Sequence, residues 1–271
     1  MKMSWVNKVG VSSILLVVLV ACTTAPISGR RQLNFIGENQ LMQLSVSEFE
    51  KMKHEEKVSH DPAANALVQK VGRKIAAAAN EHLPNAQWEF VVFDSPQANA
   101  FCLPGGKVGV YTGILPITKD EAGLATVLGH EVGHAAAHHG GERMSQQLAA
   151  QTGGQLLGVA LSGADPRIQS AFQLAYPIGA QVGILLPFGR KQESEADRMG
   201  LTYMARAGYD PEAAVGFWER FSQYNASKGA KGGPAFLRTH PVDEVRIQQI
   251  KQWLPEARAQ YRTDVISSPV R

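Results

Sequence analysis

The chain has 271 residues, 44% hydrophobic and 19% charged, a composition that can bury a sizeable core and excludes a disordered or low-complexity protein. With the first 21 residues set aside, 25 basic residues stand against 24 acidic ones, which gives a nucleic-acid partner no electrostatic footing.

Residues 1–21 read as an export signal, with Lys2 and Lys8 leading into an apolar run from Val9 to Ala21. That run is shorter than the ~20 apolar residues a spanning helix needs. Leu19-Val20-Ala21-Cys22 resembles the bacterial lipobox, which implies that Cys22 is acylated and becomes the new N-terminus. Thr23, rather than Asp, after the cysteine favours in this resemblance the outer membrane of a Gram-negative envelope, on its periplasmic face. Acylation of Cys22 leaves Cys102 alone, so no intramolecular disulfide can form. Cys102 lies in an apolar run and reads as a small hydrophobe, not a nucleophile.

Residues 22–37 hold Pro, Gly, Ser, Thr and arginines without periodicity and read as a tether; 38–262 read as one folded domain and 263–271 as a tail. A helical pattern covers Glu38 to Val58. Asp61 as N-cap and Pro62 in the first turn open a second helix to Asn80, with Leu67, Val71 and Ile75 on its apolar face. Trp88–Phe93 is a strand by composition. Asn99–Leu103 and Lys107–Tyr111 flank Pro104-Gly105-Gly106 and read as a hairpin, whose edge offers an extended peptide main-chain pairing.

Gly129-His130-Glu131-Val132-Gly133-His134 carries the chemistry. Histidines four apart on a helix project from one face, so His130 and His134 can reach a single ion. Zn²⁺ accepts neutral imidazole, and a catalytic site keeps three protein ligands and an open position for water. Glu131, next to the first histidine, is placed to take a proton from that water. Asp120 as cap, with Leu124, Val127, Leu128 and Val132, marks the segment to His139 as a buried helix. A break is expected at His138-His139-Gly140-Gly141. The metzincin third-histidine position falls on Gly140, which excludes that class, and His138 reads as a surface or supporting residue. Residues 152–190 are apolar, charge-poor and interrupted by Gly and Pro; a lid over the cleft, a membrane- or partner-facing surface and an irregular helical hairpin are all open, and a loop-plus-helix excursion near the active site is the favoured expectation.

Glu193 to Gly200 opens a helix running to Ala207, with Gly208 as its stop. Glu193 and Asp197 share a face, while Glu195 points about 200° away. If that face meets the histidine helix, Glu193 completes a His-His-Glu site. Asp197 then accepts a hydrogen bond from the far nitrogen of a liganding histidine.

Asn99-Ala100-Phe101 with Pro104-Gly105-Gly106, the His130–His134 motif, Glu193 to Gly200, and Thr239-His240-Pro241 with Arg246 together resemble the Ste24/Oma1-type (M48) zinc metallopeptidases, in their soluble periplasmic lipoprotein branch. The resemblance covers about Leu41 to Leu254. It implies one Zn²⁺ per chain held by His130, His134 and Glu193, with Asp197 supporting a ligand. It also gives His240 a place near the zinc, steadying an oxyanion or occupying the metal in a self-inhibited state, with Arg246 beside it.

The expected fold is α+β and mostly helical, zincin-like (gluzincin), with a small antiparallel sheet. The expected activity is zinc-dependent endopeptidase cleavage of unfolded or misassembled envelope proteins, with Glu131 and His240 catalytic and Asn99, Ala100 and Phe101 as the substrate edge. Polypeptide substrates, the membrane through a lipid anchor and the outer-membrane assembly machinery are the expected partners. The rival is a non-proteolytic lipoprotein chaperone or assembly factor that retains a zinc site.

Overall fold

The computed structural model describes residues 22–228, 236 and 239–261. The expected export signal at 1–21, the expected tail at 263–271 and most of the Gly- and Lys-rich stretch at 227–234 lie outside the described residues, as does the side chain of Cys22. In chain order the elements are β1 (Cys22–Thr24), β2 (Arg31–Leu33), α1 (Glu38–Glu55), α2 (Pro62–Ala79), β3 (Glu89–Phe93), β4 (Ala100–Leu103) and β5 (Lys107–Tyr111). Then come α3 (Glu121–Ala136), α4 (His139–Ala160), α5 (Pro166–Ala180), α6 (Leu186–Arg206), α7 (Ala213–Lys228) and α8 (Glu244–Arg258). The chain forms two compact units, residues up to 38 with 141–187, and 39–140 with residues from 188 onward.

In the second unit, α2 starts as its sequence dictates. Asp61 Oδ1 accepts from the amides of Ala63 and Ala64, and Pro62 occupies a position with no hydrogen-bonding duty. The three-stranded sheet has the order β3-β5-β4. The β4–β5 hairpin is antiparallel, pairing Ala100 with Val110 and Leu103 with Lys107, and its turn puts Gly105 and Gly106 at φ of 86°. The β3–β5 pair is parallel, so the sheet is mixed where an antiparallel one was expected. After β3 the chain crosses to lay β4 on the far side, and the glycine turn returns β5 between them. Val58 bridges to Phe93 on the outer side of β3. β4 is the other edge, and it packs on α3.

Helix α3 is the centre of this unit. Every residue from Gly123 to Ala136 is buried, and the helix packs on α2, β4 and α7. Asp120 caps it by accepting from the Gly123 amide at 2.8 Å. Helix α6 meets α3 backbone to backbone. A Cβ on Gly129 would sit 2.9 Å from the Gly200 carbonyl oxygen, and one on Gly200 would sit 2.9 Å from the His130 nitrogen. Helix α6 begins at Leu186, seven residues before the expected start, and stops at Gly208, whose φ is 81°. The break after α3 falls at His138, with φ of 54°, and α4 starts at His139 before the Gly140-Gly141 pair.

The first unit corrects two expectations. Residues 22–37 are not a bare tether: β1 and β2 pair antiparallel, and Arg30 clamps Glu142 of α4 through two bonds of 2.6 and 2.7 Å. The Phe35 amide donates to Ser145 Oγ at 2.9 Å. Residues 152–190 are not loop plus helix but continuous helix on either side of a short turn at 161–165. Their glycines do not break α4 because Gly154 leaves room for the Tyr176 ring, whose hydroxyl donates to the Ala150 carbonyl at 2.7 Å. Pro177 stays inside α5, next to a π-helical turn at Gln181–Leu185.

The α3–α6 contact decides the sign of a substitution. Alanine ordinarily favours a helix by ~1 kcal/mol over glycine. At Gly200 the clash is with backbone, which cannot give locally, so Gly200→Ala is expected to lose about 1–3 kcal/mol in chemical denaturation.

Candidate metal centre

Four side chains from three places in the sequence converge on one buried point: His130 and His134 from α3, Glu193 from α6, and His240. The amide of His240 donates to the Phe236 carbonyl at 2.7 Å. His130 Nε2 and His134 Nε2 are 3.1 Å apart. Glu193 reaches both, with Oε2 3.3 Å from His130 Nε2 and Oε1 3.3 Å from His134 Nε2. His240 Nδ1 lies 2.8 Å from Glu193 Oε2 and 3.1 Å from His130 Nε2.

The chemistry of this donor set fits a cation. Asp197 Oδ1 takes the Nδ1 proton of His130 at 2.9 Å, so the lone pair of His130 Nε2 faces inward. Facing it are two more imidazole nitrogens and a carboxylate oxygen. Such acceptors repel at contact distance unless a proton or an ion lies between them. Tetrahedral zinc with bonds of 2.0–2.1 Å holds neighbouring donors about 3.3 Å apart, near the upper end of the 2.8–3.3 Å separations in this set.

The surroundings hold charges that burial opposes. Burial works to lower His130, but the carboxylates of Asp197 and Glu193 outweigh it and raise its pKa to about 9 in the metal-free site. Burial pushes His134 well below the usual histidine value, with Glu193 pulling the other way. For Glu193, burial is opposed by His134, His130 and His240, which hold its carboxyl well below the ordinary range.

Asp197 is gripped from its other side by Arg246, Nε donating to Oδ2 at 2.7 Å and Nη2 to Oδ1 at 2.8 Å. Arg246 also donates from Nη1 to the Pro241 carbonyl at 2.9 Å, and its guanidinium lies 3.9 Å above the Trp218 ring. It is therefore a buried strut between the His240 segment and the Asp197–His130 pair. Pro241 and Asp197 are fixed relative to each other through one side chain.

Glu131 is buried, with Oε1 3.5 Å from His240 Nε2. Asn99, Ala100 and Phe101 sit at the edge strand: the Asn99 carbonyl accepts from the Tyr111 amide, Ala100 is buried, and the Phe101 ring covers Gly109. Cys102 of β4 has its thiol pKa pushed up by burial and by the Glu131 carboxylate, which keeps it protonated and unreactive. Sequence reading missed two groups. His139 Nδ1 stands 2.8 Å from His134 Nδ1, and His139 Nε2 stands 3.0 Å from Glu195 Oε2. The signal lay in the spacing: His139 follows His134 by five residues, just past the helix break, and Glu195 faces away from Glu193 as its helical position requires.

Residues 62–254 match the model of peptidase family M48. The chain belongs to that family. It is 37% identical to the mitochondrial metalloendopeptidase OMA1 of Schizosaccharomyces pombe, over 88% of this chain and 68% of that protein. It is also 37% identical to the mitochondrial metalloendopeptidase OMA1 of Danio rerio, over 86% of this chain and 50% of that one. Similarity extends to the beta-barrel assembly-enhancing protease of Yersinia pestis, 29% identical over 71% of this chain and 39% of that protein. This M48 chain is a metalloendopeptidase, mostly helical and zincin-like, with a buried His-His-Glu-His group able to bind a metal.

The Arg246–Asp197 pair sets an acid limit on stability. Burial alone would raise Asp197; Arg246 and His130 outweigh it and lower its carboxyl pKa. A carboxylate lowered by folding contributes stability that is full above its unfolded pKa and is lost as pH falls through the folded one. Arg246→Met removes the foremost lowering influence and leaves a buried charge less compensated. The metal-free variant is expected to lose about 3–5 kcal/mol near neutral pH. Its acid-unfolding midpoint is expected to move to higher pH, read by tryptophan fluorescence.

Proposed function

We propose that this chain is a zinc-dependent endopeptidase acting on unfolded or misassembled envelope polypeptides, with His130, His134 and Glu193 as metal ligands. The observation that carries this reading is the inward convergence of two imidazole nitrogens and both oxygens of one carboxylate at 3.1–3.3 Å. Zinc bound there supplies polarisation of a carbonyl and acidification of a water. Glu131, one residue from His130 on a buried helix, accepts the proton of the attacking water and hands it to the departing amine. Asp197, braced by Arg246, holds His130 in the tautomer whose Nε2 is bare.

Substrate reaches this centre along β4. The edge of Asn99, Ala100 and Phe101 is the sheet edge that packs on the motif helix, so a peptide added there as a strand is drawn past Glu131. Main-chain pairing favours extended segments over folded ones, which suits quality control. Similarity to the beta-barrel assembly-enhancing protease of Yersinia pestis supports a setting in envelope assembly. The Leu19-Val20-Ala21-Cys22 run supports acylation at Cys22 and a place on the periplasmic face of the outer membrane, and the assembly machinery there is the proposed partner.

His240 fills the fourth donor place in the resting enzyme and swings aside when substrate arrives. Its Nδ1 is as close to the Glu193 and His130 donors as those are to one another, which supports the self-inhibited reading over an oxyanion role.

Two measurements test this. Glu131→Gln should keep zinc yet cut unfolded casein about 10²–10⁴-fold more slowly. Equal cleavage by both proteins, or none by either when zinc-loaded, refutes the peptidase reading in favour of a non-proteolytic assembly factor. His240→Ala should raise initial cleavage rates several-fold; a fall instead returns His240 to oxyanion stabilisation.

A further inference from the structure

Among the described residues, the outer nitrogen of His134 meets no carboxylate directly. Its Nδ1 faces another histidine, His139 Nδ1, at 2.8 Å, and His139 Nε2 faces Glu195 Oε2 at 3.0 Å. His139 is completely buried and Glu195 nearly so. A neutral imidazole has one N–H and one bare nitrogen, so the order of protons along this row is determined from its far end. The Glu195 carboxylate is an acceptor and takes the Nε2 proton of His139. His139 Nδ1 is then bare and can only accept. The hydrogen between the two rings therefore belongs to His134 Nδ1, and His134 Nε2 is left with its lone pair toward the other donors.

We propose that His139 and Glu195 form a positioning relay that fixes the tautomer and ring orientation of His134, as Asp197 and Arg246 do for His130. The two ligands of the motif are thus braced differently. His130 rests directly on a carboxylate, and His134 rests on one through an intervening ring. The helix break explains why a relay is needed. His138, at φ of 54°, turns the chain so that His139 comes back against the last turn of α3, filling the space between His134 and Glu195 on α6. A carboxylate on α6 then holds His134 without needing to reach α3 itself. Neither residue touches substrate in this scheme.

The inference rests on the zinc reading, so the experiment separates the two. Zinc affinity is measured by competition with a chromogenic chelator for the full chain and for His134→Ala, His139→Leu and His139→Asn. His139→Leu keeps the bulk and removes the acceptor; His139→Asn restores an acceptor oxygen near the place of Nδ1. Loss of an outer partner of this kind typically costs 10–100-fold in metal affinity. That loss is expected for His139→Leu, with His139→Asn recovering to within a few-fold of wild type. Wild-type affinity in His139→Leu overturns the relay while leaving the zinc reading intact. Equal losses in the Leu and Asn variants overturn it too, in favour of packing. Wild-type affinity in His134→Ala overturns the zinc reading itself. A measurement without substitution covers the case in which His139→Leu fails to fold. In the zinc-loaded wild type, ¹⁵N-¹H correlation spectra should show His139 protonated at Nε2 and bare at Nδ1. A proton at His139 Nδ1 refutes the relay.

Discussion

Two helix backbones touch at Gly129 and Gly200, and the convergence of His130, His134, Glu193 and His240 depends on that contact. Side chains of ordinary length at these positions would part α3 and α6 by the thickness of a methyl group or more. The Glu193 oxygens reach both motif histidines at 3.3 Å only because the helices lie this close. Gly133 repeats the device one turn on, where a Cβ would meet the Ala196 carbonyl at 2.8 Å. The small residues sit between the functional ones, so the same four-residue period that aims the histidines also aims the gaps.

Bringing so many ionisable groups out of water is costly unless each finds a partner. The unit meets this with paired chains of contacts in place of isolated ion pairs. Arg246, Asp197 and His130 form one; Glu195, His139 and His134 form the other; Glu193 and His240 meet them in the middle. Trp218 lies flat under Arg246, so a charged side chain that has left solvent still faces an aromatic quadrupole. The core around the site is thus a polar lattice set in aromatic walls, and its geometry is specified by directional bonds more than by volume.

The parts of this arrangement that depend on local pattern were open to reading from sequence. The spacing of His130 and His134, the Asp61-Pro62 and Asp120 helix starts and the Pro104-Gly105-Gly106 turn are each written within a few residues. The pairing of Glu193 and Asp197 on one face follows from helical period alone. Other parts depend on partners far along the chain and were not. Arg30 and Glu142 are 112 residues apart, so a three-residue strand in a Pro- and Gly-bearing stretch looks like a tether until its clamp is seen. Residues 152–190 misled because Gly and Pro signal interruption locally, whereas Tyr176 uses the glycines as a seat. His139 was hidden by its neighbour: two adjacent histidines after a helix look equivalent, and only the backbone turn at His138 decides which of them faces inward.

The burial of α3 from Gly123 to Ala136 bears on when an ion could arrive. Amides in a helix covered on all sides exchange with deuterium only when the surrounding unit opens as a whole. A helix that hidden gives its imidazoles no separate opening of their own. An ion held between His130 and His134 would therefore enter or leave with an opening of the unit around them.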